Sequence, residues 1–124
     1  MADAPELADL QQHIEAVESA YEFMLAYAAQ GRRDEAAGSG PRVRDVLSTF
    51  CSALDAIEPA LPDPLGAFRE VVLDDIRKTR AALHLVLSRA AISSELVDNL
   101  NASIHVRALL TDLFLVSESL SPTT

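Results

Sequence analysis

Seven apolar residues near the start of the chain, Leu7, Leu10, Ile14, Val17, Tyr21, Met24 and Ala28, follow one another at steps of 3, 4, 3, 4, 3 and 4. A strand, whose side chains alternate, scatters such a set over both faces. A helix at about 3.6 residues per turn gathers it into one stripe. The stripe is a heptad seam, the packing rule of helical bundles. Pro5 suits a first helical turn, and Gly31, followed by Arg32 and Arg33, suits a helix end. The spacing predicts a helix over about 5–31.

Three further helices follow from the same pattern. GRRDEAAGSGP has no apolar period and predicts a loop over 31–41. Val43, Val46, Leu47, Phe50, Leu54 and Ile57 form the stripe of a helix over about 42–58, ended by the proline-rich EPALPDP. Asp63 before Pro64 reads as an N-cap and first-turn pair. It opens a helix over about 64–90 with Leu65, Phe68, Val72, Ile76, Leu83, Val86 and Ala90 on one side. Ser93 or Ser94 is placed to cap a last helix over about 94–120. The connections around the third helix are short, which sets neighbouring helices antiparallel. The expectation is an all-α, antiparallel up-down four-helix bundle, one domain over residues 1–124. Aromatic residues are 5% of the chain, so Leu, Val, Ile and Ala must fill its core.

The segment IHVRALLTDLFLV, residues 104–116, is broken firmly only by Arg107, Thr111 and Asp112. With 94–120 taken as one unbroken helix at about 100° per residue, Val106, Leu109, Leu110, Leu113, Val116 and Leu120 share a face. Val97, Leu100, Ile104 and Leu115 point the other way, with Phe114 at the edge. The first helix repeats this mildly, with Ala16, Ala20, Phe23 and Tyr27 across from its seam. Two faces on two helices call for a second neighbour. Val97, Leu100, Ile104, Leu115, Phe23 and Tyr27 are therefore the expected interface, and the expected partner is a second copy or another protein.

Charge narrows the partners. The formal net charge is −9, and the ten cations are nine Arg and one Lys. Such a balance opposes binding to a phosphate backbone or to an anionic membrane surface. The start of the chain lacks a signal-peptide pattern, no span-length apolar run occurs, and the single Cys51 has no disulfide partner in the chain, so the expected compartment is the cytoplasm. Glu15, Glu18 and Glu22 on the first helix and Arg77, Arg80 and His84 on the third share one spacing, and either meet or stay solvated.

Local chemistry motifs are few. The residues three before His13, His84 and His105 are Leu10, Ala81 and Ala102, so the Glu-x-x-His of carboxylate di-metal bundles does not occur. Neither does Cys-x-x-Cys, His-Glu-x-x-His or Gly-x-Ser-x-Gly. No cofactor and no catalytic residue is expected. A scattered metal or small-ligand site is the alternative, with Cys51, His84 and His105 at similar heights along the bundle.

RAALHLVLSRAA, residues 80–91, superficially resembles the helix of histidine-phosphotransfer domains. The resemblance covers about twelve residues and implies an acidic four-helix bundle with His84 as phosphoacceptor. Leu85, Val86 and Leu87 follow His84 where such domains usually carry a Lys and a small residue. The leading expectation is a non-enzymatic interaction or accessory protein acting through an apolar helical surface as a homodimer. A metal- or ligand-binding bundle and phosphotransfer are its alternatives.

Overall fold

The computed structural model describes residues 4–35 and 42–120. Among them the chain is all-helical, with no strand. The helices are α1 Ala4–Ala28, α2 Val43–Ala60, α3 Phe68–Leu87, α4 Ser94–Ala102 and α5 Ile104–Leu120, with a 3-10 turn at Asp63–Leu65. Most of the expected 31–41 loop, with its GSGP end, and the SPTT tail lie outside the described residues.

One continuous apolar core draws on all five helices. The α1 seam is buried at Leu10, Ile14, Val17 and Met24, and α2 buries Val43, Leu47, Phe50, Leu54 and Ile57. Val72, Ile76, Leu83 and Val86 come from α3, and Val106, Leu109, Leu110, Leu113 and Val116 from α5. Helix α1 packs against α2 on one side and against α4 and α5 on the other, while α3 packs against α2, α4 and α5. Burial of aliphatic side chains such as these, about 1.5–3 kcal/mol for each one taken fully out of water, drives the assembly.

The expected fourth helix is two helices. Ser103 has φ −61° and ψ 136°, an extended conformation that no helix accommodates. Its N–H donates to Leu100 O at 3.1 Å, closing α4. Its hydroxyl accepts from Val106 N at 3.3 Å, capping α5. One serine thus ends one helix and starts the next, and residues before and after it no longer share a wheel. Val97 and Leu100 are buried inside the same chain, whereas Ile104 and Leu115 face outward. The single two-faced helix is corrected accordingly.

Helix α3 also begins later than 64. Asp63 and Pro64 do open a turn, but Gly66 at φ 59° and ψ −135° breaks it, and α3 starts at Phe68. At its other end α3 stops at Leu87, so Ala90 is outside the helix and exposed.

A polar clamp fixes the end of the molecule where α1, α2, α3 and α4 come together. Arg44 of α2 donates to Leu87 O at 2.8 Å and Arg89 O at 2.9 Å, satisfying carbonyls at the close of α3. It also donates to Glu35 at 2.8 Å, and the other Glu35 oxygen accepts from Ile92 N at 3.0 Å. Tyr27 donates its hydroxyl to Ile92 O at 2.6 Å. Ser94 donates to Tyr27 O at 2.7 Å and accepts from Arg32 N at 2.8 Å, while Ser93 is the helix cap, accepting from Leu96 N at 3.0 Å. Asn101 donates to Met24 O at 3.1 Å.

The Ile92 N–H, helped by Arg44, holds the Glu35 carboxyl below its ordinary value of 4.5. Its stabilisation is therefore present above the ordinary range and lost as pH falls through the lowered value. Glu35→Gln should lower the urea midpoint at pH 7 and shrink its fall between pH 5 and 3. In the same assay Ser103→Ala should cost about 1 kcal/mol, the worth of one helix cap.

Candidate functional site

Which expected interface residues remain available is decided by burial. Tyr27, Val97 and Leu100 are within the core, and Phe23 is half-buried against it. The second face of α1 is covered by its own chain, because α4 packs there. Tyr27 is further committed by its bond to Ile92 O and by Arg32, whose guanidinium carbon stands 5.4 Å from the ring centre. These four residues leave the candidate surface.

Ile104 and Leu115 stay on it, 74% and 54% exposed, and Phe114 joins them at 53%. Eleven residues at about 100° each return to within about 20° of the start, so Ile104 and Leu115 lie on one line of α5, about 16 Å apart along its axis. Arg107, Thr111 and Glu118 lie in the same strip and are exposed as well. The buried residues Val106, Leu109, Leu113 and Val116 lie opposite. Helix α5 therefore carries a real outward strip of three large apolar side chains, one cation and one anion. Val71 and Leu85 give α3 a smaller outward pair. Single exposed apolar residues are ordinary on protein surfaces; three on one face of one helix form a patch.

Cys51, His84 and His105 do not converge. Cys51 is buried in α2, whereas His84 and His105 are exposed on α3 and α5. Among the described residues no group of three or more His, Cys, Asp and Glu side chains stands close enough to hold a metal ion. What does meet is Arg80 with α2: its guanidinium reaches Asp55 at 3.1 Å and Glu58 at 2.7 Å. The Arg77–Arg80–His84 stripe therefore turns partly to α2 rather than to the glutamates of α1, and Arg77 pairs with Asp74 on its own helix at 3.0 Å. Burial pushes the Cys51 thiol up, with Asp55 adding to the effect and Arg80 opposing it.

His84 is exposed near the end of α3, and its neighbour Leu85 is 66% exposed. A cleft of about 430 Å³ lies where the start of α1 meets the α2–α3 turn, lined by Glu6, Asp9, Pro59, Ala60, Leu61, Pro62 and Asp63. Its three carboxylates come with no nucleophile and no basic group in the lining. No helix among the described residues is long and apolar enough to cross a membrane.

One charged group lies where the apolar pattern calls for a core residue. Asp112 is three residues after Leu109 and four before Val116, both core, and it is 7% exposed beside Asp75 of α3. The signal in the sequence is a carboxylate at i+3 from one core position and i−4 from the next, which reads there as an interruption of the apolar run.

Compared with known proteins, the chain matches no protein-family model, no curated protein and no solved structure.

Because burial disfavours its thiolate, Cys51 should react slowly with an aromatic disulfide reagent at pH 8 in the folded protein and rapidly in urea. Equal rates in both would place the thiol at the surface.

Proposed function

We propose that the chain is a non-enzymatic interaction protein whose working surface is the outer strip of α5, and that its occupant is a second copy of the same chain. The exposure of Ile104, Phe114 and Leu115 on one face of one helix carries this reading. The strip is also self-complementary in charge. Arg107 lies toward one end and Glu118 toward the other, so an antiparallel pairing of two α5 helices about a twofold faces the Arg107 of each copy with the Glu118 of the other.

The finer architecture we favour is an antiparallel up-down bundle of four positions, with α4 and α5 sharing the fourth. Two hydrogen bonds support that order: Ser117 to Gln11 at 3.0 Å and Asn101 to Met24 at 3.1 Å pair ascending positions of α1 with descending positions of α4 and α5. The formal net charge of −9 disfavours nucleic acid as partner.

The expected affinity is modest. Six apolar side chains across a twofold contribute about 1.5–3 kcal/mol each if fully buried. Association itself costs about 4–15 kcal/mol. A concentration-dependent dimer follows, with Arg107 and Glu118 weakly supporting its register.

Light scattering across a concentration series tests this. The wild type should approach twice the 13.4 kDa of one chain, and the double variant Ile104→Glu/Leu115→Glu should stay at one chain's mass with its helical content unchanged, since both sites are exposed on the single chain. A wild type that remains at one chain's mass at the highest attainable concentration overturns the self-partner.

A further inference from the structure

Among the described residues four polar or charged side chains are buried, Thr79, Ser94, Asn101 and Asp112. Three of them have clear work. Thr79 donates to His105 O at 3.1 Å, Ser94 joins α4 to the end of α1, and Asn101 donates to Met24 O. Asp112, the ionisable one, faces another carboxyl instead. It extends from the flank of α5 toward Asp75 of α3, and its Oδ2 is closed off from solvent with no donor.

The surrounding charges do not neutralise the pair. On α3, Arg77 and Lys78 each stand 3.0 Å from Asp74 at the exposed side, and neither makes an ion pair with Asp75 or Asp112. Lys78 feels the Asp75 charge, but only as one of several influences behind Asp74. Helix α1 carries Glu15, Glu18 and the half-buried His13, and α4 carries Glu95 and Asp98. None of these is among the influences on Asp112, which are burial and Asp75. Two adjacent carboxyl groups in such a place cannot both be ionised without cost: one buried charge is expensive, and two of like sign at contact are worse. With one proton between them, the protonated oxygen donates to the other carboxylate and forms a charge-assisted hydrogen bond across the helix seam.

We propose that Asp75 and Asp112 form a shared-proton catch between α3 and α5, closed while the pair holds one proton and loosened when that proton passes to solvent. Burial first, and then Asp75, pushes the Asp112 carboxyl up to about 7 from its ordinary 3.8. The folded protein keeps a proton that the unfolded chain releases in the ordinary carboxylate range. The unfolded state then binds fewer protons throughout that interval, so stability falls as pH rises across it and levels off above it. This is the reverse of Glu35, whose contribution is lost toward acid. The catch belongs to the α3–α5 seam and is independent of whether two chains pair.

Urea midpoints of the wild type, Asp112→Asn and Asp75→Asn between pH 5 and 8.5 test the proposal. At 112 asparagine keeps the shape, supplies a donor and removes the buried titrating group; at 75 it removes the second carboxyl and leaves the burial of Asp112 in place. The wild-type folding constant should fall about tenfold or more relative to Asp112→Asn between pH 5 and 7.5, because each unit of raised pKa is a tenfold effect, with Asp75→Asn between the two. Parallel pH profiles in wild type and Asp112→Asn, or an Asp75→Asn profile identical to the wild type, overturn the catch. The wild type alone provides a second reading that needs no variant to fold. The carboxyl carbon of Asp112, followed by NMR, should titrate near neutrality. Titration of Asp112 with the ordinary carboxylates contradicts the proposal.

Discussion

The arrangement depends on the backbone at Ser103. A helix wound without interruption from 94 to 120 has to show its Val97–Leu100 side and its Ile104–Leu115 side to the same neighbour. An extended ψ of 136° at one residue releases that constraint. The serine offsets the hydrogen bonds lost at the break by serving both ends, donating its N–H to Leu100 O of α4 and accepting from Val106 N of α5. With the phase reset, α4 turns Val97 and Leu100 into the core while α5 turns a separate set, Val106 to Val116, inward. The same reset lets α4 cover the far side of α1. Tyr27 and Ala20 are thereby buried without help from another molecule.

Polar side chains near the core mostly serve the chain's own backbone. Arg44, Glu35, Tyr27, Ser94 and Asn101 satisfy carbonyls and N–H groups at helix ends and join the close of α1 to the start of α4. Buried polar groups with partners stabilise; those without are costly. Asp112 departs from this scheme, since its neighbour is another carboxyl and its Oδ2 is buried without a donor. The outer strip of α5 is an exception of a different kind, apolar area with nothing of its own chain to cover it. The two lie on one helix, one on its flank toward α3 and the other facing out. The functional proposal concerns the second and the pH-sensitive catch concerns the first.

Much of the fold was legible in spacing. Most of the α1 seam, the α2 stripe and the inner face of α5 is buried where periodicity sets it, with Leu7, Tyr21, Ala28, Val46 and Leu120 half-buried, and Ser93 is the cap that its position implies. Ser103 was not legible, because neither Gly nor Pro marks it and the apolar period is locally compatible with either side. A serine followed by an apolar run is a cap signal only when a chain already needs to turn there. Gly66, which follows the stronger Asp-Pro signal, has the positive φ that separates the Asp63–Leu65 turn from α3. Of the candidate interface residues, Ile104 and Leu115 are exposed, and so is Phe114, which the wheel sets only at the edge. Val97 and Leu100 belong to the core because the break at Ser103 takes them off the wheel of Ile104 and Leu115, and Tyr27 because a helix wheel gives the faces of its own helix but not how many neighbours surround it. Convergence of Cys51, His84 and His105 depended on rotations about three helix axes, which height along a bundle does not supply.

Backbone chemical shifts of the isotopically labelled protein across residues 94–120 address the central claim most directly. The account predicts two helical runs, 94–102 and 104–120, separated by shifts of extended backbone at Ser103. An unbroken helical run through Ser103 would contradict it, since Val97 and Ile104 would then share one wheel and could not divide between core and surface as described.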